Sequence, residues 1–186
     1  MKKTVLVIFV ICLGLFLLSL RNKTKRAPWF DNPMMKVAFK AAGLSDLHVA
    51  ALNQDSETLS ELISKGADVN ALSADGTSAL HPVAAFGYVD CVKILLDNGA
   101  NIDLKDARGD TPLSLAAVAG QPDIVEILLE YGASTDVRNR EGRTPLQAVI
   151  NFKKILSSNA IMDKTSQSLK KRLDECAEIL KKHEDK

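Results

Sequence analysis

A chain of 186 residues, 46% hydrophobic and 25% charged, has room for one packed domain and something extra. Its net charge of +1 hides a split: +6 over residues 1–26, −8 over 27–150 and +3 over 151–186. The acidic middle repels phosphate backbones and excludes nucleic-acid binding there, while an aromatic content of 5% leaves a core of Leu, Ile, Val and Ala.

The first element, residues 1–21, has a basic start at Lys2 and Lys3 and an apolar run from Val5 to Leu20. That is the pattern of a signal anchor, a transmembrane helix entering the membrane through residues 5–20. Sixteen helical residues reach about 24 Å, and flanking residues make up the rest of a hydrocarbon core of about 30 Å. Leu17, Leu18, Ser19 and Leu20 lack the small residues a cleavage site needs, which favours an uncleaved anchor. A removed signal peptide, releasing the body to the periplasm, is the alternative. Basic residues at 21–26 argue for a cytoplasmic body, whereas the Met-Lys-Lys start resembles a bacterial export signal. We adopt the outward reading, with a membrane-anchored, extracytoplasmic body in a bacterial envelope. A linker follows over residues 22–32, with Trp29 and Phe30 at the interface or on the first helix. Pro33 then opens a capping helix over 33–44, with Met34, Val37, Ala38 and Ala41 on its apolar side.

From Ser45 the chain repeats itself at a shift of 33. Ser45, Ser78, Thr111 and Thr144 fall in register, as do Leu47, Leu80, Leu113 and Leu146. So do Ala51, Ala84 and Ala117, and the pairs Gly66-Ala67, Gly99-Ala100 and Gly132-Ala133. In the third unit Thr111 caps a helix that begins at Pro112, where a missing N–H costs nothing. Gly120 ends it, and Ile124, Ile127, Leu128 and Tyr131 mark a second helix that Gly132 terminates. Neither helix can bury its apolar face alone, so the units must stack. The expected units are 45–77, 78–110, 111–143 and 144–186.

Three units depart from the pattern. The first has Gln54 where Gly is expected, the second carries Pro82 inside its first helical turn, and the fourth has Lys153 at the Gly position. Pro82 is expected to shift or tighten the helix start. In the fourth unit about 18 residues are inserted before the second helix. The polar stretch at about 157–168 is read as a loop or a helix extension. Leu169, Leu173, Cys176, Ala177 and Leu180 then form the dry stripe of a closing helix.

Asp110-Thr111-Pro112-Leu113-Ser114-Leu115-Ala116-Ala117, with Gly120 and Leu128-Leu129-Glu130-Tyr131-Gly132-Ala133, resembles the ankyrin repeat. Leu47-His48-Val49-Ala50-Ala51 and Gly66-Ala67-Asp68-Val69-Asn70 match the same pattern. The resemblance implies an all-α repeat solenoid, an ankyrin stack of about four 33-residue helix-turn-helix units with hairpin tips. It also implies binding to another protein through the tips and the concave face of the inner helices. By position, the concave candidates are Phe86, Tyr88, Val118, Gln121 and Phe152, and the tip candidates are Lys105, Arg108, Arg138, Arg140 and Arg143. The tips change along the stack, from acidic at Asp68 and Asp75 to basic at Arg138, Arg140 and Arg143, a gradient that would orient a polar partner.

Nothing in the sequence points to chemistry. No phosphate loop, dinucleotide fingerprint or metal-ligand spacing is present, so neither catalysis nor a cofactor is expected. His48 and His81 share one repeat position, where the resemblance implies hydrogen bonds to neighbouring backbone. Cys91 takes the place of Ile124 and reads as core. Packed helices lie about 8–10 Å apart, too far for Cys91 and Cys176 to form a disulfide. The chain is expected to be monomeric, a membrane-tethered adaptor or regulator of one protein. An immunity-type inhibitor of a toxin and an accessory factor for an envelope enzyme both remain open within that class.

Overall fold

The computed structural model describes residues 39–158 and 164–184. The apolar run 5–20, the linker 22–32 and the first part of the expected capping helix lie outside the described residues. The last turn of that helix, 39–41, is helical and buries Phe39. Among the described residues all regular structure is helical, and no helix there is long and apolar enough to cross a membrane.

The described residues continue with eight helices in pairs. α1 (Asp46–Leu52) and α2 (Ser56–Ser64) form the first unit, α3 (Leu80–Phe86) and α4 (Val89–Asp97) the second. α5 (Pro112–Val118) and α6 (Pro122–Glu130) form the third, α7 (Pro145–Ser158) and α8 (Lys164–Glu184) the fourth. The inner helices α1, α3, α5 and α7 pack in sequence on one another, and so do the outer helices α2, α4, α6 and α8. The registered residues make this join. Leu47, Leu80, Leu113 and Leu146 are all buried, and Ala51, Ala84 and Ala117 are fully enclosed where inner helices approach. One continuous core runs from Leu47 to Leu180.

The helix starts obey their local chemistry. Thr111 Oγ1 accepts from the Ser114 amide at 3.2 Å. Thr144 and Gln147 cap each other reciprocally, at 3.1 and 3.3 Å. Pro82 removes the amide that would reach back to the Ser78 carbonyl. The His81 amide takes that carbonyl instead, at 3.2 Å, so the start is tightened as expected.

The fourth unit favours one of the two readings of 157–168, the helix extension: α7 continues to Ser158 and α8 begins at Lys164, with 159–163 outside the described residues. The inner helix therefore has 14 residues where its three predecessors have 7, and the outer helix 21 where its predecessors have 9. Leu156 and Leu169 join the core from the two extensions, and Lys153 is ion-paired with Asp174 across them. The closing stripe is as read: Leu173, Cys176, Ala177 and Leu180 are buried.

Candidate partner-binding surface

The hairpin tips are built on one repeated device. Ser73, Asp106 and Asn139 stand 33 residues apart, and each uses its side-chain oxygen to hold the amide four residues on: Thr77 at 3.2 Å, Asp110 at 2.9 Å and Arg143 at 3.1 Å. Each tip also docks through backbone on what precedes it, the first on the turn after helix 39–41 and the others on the tip before. Ala74 N–H donates to the Ala42 carbonyl at 3.1 Å, Ala107 to Asp75 at 3.2 Å and Arg140 to Arg108 at 3.0 Å. Gly109 permits the last contact, since a Cβ there would lie 2.9 Å from the Arg140 nitrogen, in a residue with φ +78°. Burial raises the Asp75 carboxyl, but hydrogen bonds from Ser73 and Thr77 outweigh it and hold the group below its usual range.

The tip cations differ in how far they are engaged. Arg108 lies 3.5 Å from Asp106 and 3.7 Å from Asp110. Lys105 donates to the Arg138 carbonyl at 3.0 Å. Arg138 donates to the Gly142 carbonyl at 2.8 Å and to Gln147 at 3.2 Å. Arg143 is bonded to Glu141. The Arg140 guanidinium makes no hydrogen bond or ion pair with a described residue.

On the inner face, Phe86 is 38% exposed and its ring lies 5.7 Å from that of Tyr88, tilted by 43°. Tyr88 itself packs against the core, and burial pushes its phenol above the usual range. Gln121 spends its amide inside the stack: Nε2 donates to the Ala85 carbonyl at 3.1 Å, in space left by the missing Cβ of Gly87.

Five of the ten candidates come together. Arg108, Arg140 and Arg143 on the tip side and Val118 and Phe152 on the inner helices line one cleft of about 390 Å³, with Asn151 and Ala148 completing its floor. Phe86, Tyr88, Gln121 and Lys105 lie outside it. Arg138 faces a second cleft of about 620 Å³ beside Ile150 and His183. Sequence reasoning missed Asn139, which joins the third tip to the second by donating to Asp110 at 2.9 Å. Its register with Asp106 was the available signal. Ile155, half exposed on the extension of α7, carried no such signal.

The polar core supports the stack. His48 Nδ1 accepts from the Ser45 amide at 3.3 Å, and its Nε2 faces the Thr77 carbonyl at 3.1 Å. His81 repeats the first contact with Ser78 at 3.1 Å, while its Nε2 has no hydrogen-bond partner among the described residues. Burial lowers the pKa of both rings, so both are neutral at pH 7 with the proton on Nε2. Cys91 and Cys176 are buried free thiols pushed up to about 11 by burial. Among the described residues no cluster of His, Cys, Asp or Glu could hold a metal ion.

A family profile described as ankyrin repeats, in 3 copies, covers residues 47–140, which is 94 of the 186 residues. No curated protein matches the chain.

Proposed function

Since the chain belongs to the ankyrin-repeat family, a fold of protein-interaction modules, we propose that it is a membrane-tethered adaptor or regulator that binds one protein partner. The observation that carries the reading is the cleft of about 390 Å³, where tip arginines and inner-helix apolar side chains converge. The apolar run at residues 5–20 supports the tether, and the Met-Lys-Lys start supports an outward body in a bacterial envelope. Immunity-type inhibition of a toxin and service to an envelope enzyme are the two roles this reading leaves open.

The test is affinity capture from native membranes with the full chain, followed by mass spectrometry. A partner should be recovered by the wild type and lost when Arg140, Arg143 and Phe152, which line the cleft, are changed together. Capture that survives this variant would reject the surface. An enzymatic reporter fused after Lys186 should be active outside the cytoplasm, and cytoplasmic activity would reject the outward body.

A further inference from the structure

We infer that the cleft between the last two tips and α7 receives an extended segment of a partner protein that presents a carboxylate followed by apolar side chains. This rests on the protein-binding reading and adds the chemistry of the bound segment. Two features built by different parts of the chain meet there. One is Arg140, an exposed tip cation with no ion pair to a described residue, at the rim of the cleft. The other is a helical face, Ala148, Asn151, Phe152 and Ile155, spaced i, i+3, i+4, i+7 on α7. The first three of these residues line the cleft, and Ile155, 50% exposed, continues the stripe beyond it. An inner helix of 7 residues, as in the other units, would end before reaching Ile155. The extended α7 lengthens the apolar floor.

Dimensions and charge select the occupant. The lining passes from Val118 on α5 over Ala148, Asn151 and Phe152 on α7 to Arg140 and Arg143 on the tips, an open strip that a segment of chain can follow. From Ala148 to Ile155 the helix rises about 10 Å, the reach of about three extended residues. An extended segment places alternate side chains on one face, matching Phe152 and Ile155, while the Asn151 amide can pair with its main chain. Asp110 and Glu141 also stand at the rim, which disfavours a polyanion and leaves Arg140 suited to a single carboxylate.

The experiment is fluorescence anisotropy with the full chain in detergent micelles. The probe is a short labelled peptide with one glutamate followed by leucines at alternate positions. Sister peptides carry lysine for glutamate or serine for leucine, and a thymidine oligonucleotide is the polyanion. The acidic apolar peptide should bind about tenfold or more tightly than either sister, and Arg140→Glu should weaken it by about tenfold. Arg140→Gln should weaken it less, Phe152→Ala with Ile155→Ser should weaken it several-fold, and Lys93→Glu, exposed on the outer helix α4, should leave it unchanged. Thermal unfolding midpoints identify any variant that has lost its fold. Equal binding of the lysine peptide, tighter binding of the oligonucleotide, no binding of the acidic peptide or indifference to Arg140→Glu would each overturn the inference. A native partner whose capture survives Arg140→Glu would overturn it too, while leaving the protein-binding reading standing.

Discussion

The first and fourth units both lack the glycine that ends the inner helix, and they resolve the lack in opposite ways. In the first, Gln54 adopts φ +56°, the one non-glycine residue among those described with positive φ, and the chain turns on schedule. In the fourth, Lys153 stays helical and α7 runs on to Ser158. Gly87 and Gly120 hold the equivalent place in the middle units at +78° and +68°. The residues immediately downstream decide the outcome. Asp55, directly after Gln54, accepts from the Thr58 amide at 3.0 Å and its hydroxyl at 2.8 Å, so a cap for α2 rewards the turn. Lys154, Ile155 and Leu156 come after Lys153, offering no cap, and Leu156 gains core contact by staying helical. A strained turn is held where the next helix start compensates for it.

Four outcomes bear on this contrast, the largest first. Leu173→Ala, at a fully buried position in α8, should cost about 2–5 kcal/mol in urea unfolding, because the extended pair relies on the same core as the ordinary units. An effect below about 1 kcal/mol would mean that α8 is not docked as described. Asp55→Ala should cost about 0.5–2 kcal/mol by removing the cap. Gln54→Gly and Lys153→Gly should have opposite signs. The first relieves a left-handed non-glycine residue and stabilises by about 1 kcal/mol, and the second places glycine in a helix and destabilises by about 1 kcal/mol. Equal signs would remove the basis of the contrast. Thiol labelling sharpens it locally: Lys153→Gly should speed modification of Cys176 in α8 and leave Cys91 in α4 slow.

The first two units provide a pH test. His48 and His81 are held neutral by burial, with folded pKa values below the ordinary 6.5. The unfolded chain therefore takes up protons first as the pH falls. Their contribution to stability is full above about 6.5 and is lost as the pH drops through the folded values. Urea midpoints should be flat between pH 7 and 8, within about the noise of the measurement, and should fall below pH 6.5. Replacing His81 with Gln should lessen that fall, and an unchanged slope would assign it elsewhere.

Much of the stack is legible in the sequence because a period of 33 transfers every local rule from one unit to the next. The caps at Thr111 and Thr144, the buried Leu and Ala positions and the disturbance at Pro82 all derive from register and local chemistry. The extension of α7 and α8 is legible only as one of two alternatives. The polar sequence at 157–168 suits loop or helix, and contacts through Leu156, Leu169 and the Lys153–Asp174 pair favour helix up to Ser158 and from Lys164. The site divides along the same line. Residue type and position mark Arg108, Val118, Arg140, Arg143 and Phe152. The engagement of Gln121 with the Ala85 carbonyl depends on distances that a linear pattern does not carry.

The backbone bonds that join each tip to its predecessor have a consequence for how such a chain can grow. Ala74 to Ala42, Ala107 to Asp75 and Arg140 to Arg108 are joined at the same register, so one residue added to a single tip would break its stitch to the neighbours on both sides. Among the described residues, the turns between inner and outer helices carry no such backbone lacing from unit to unit, although the Gln121 side chain reaches the Ala85 carbonyl of the unit before. Length can be gained there without disturbing the rest, and the enlarged fourth unit has gained it there. Loop grafts and reporter insertions should therefore enter between α7 and α8 and leave the comb of tips untouched.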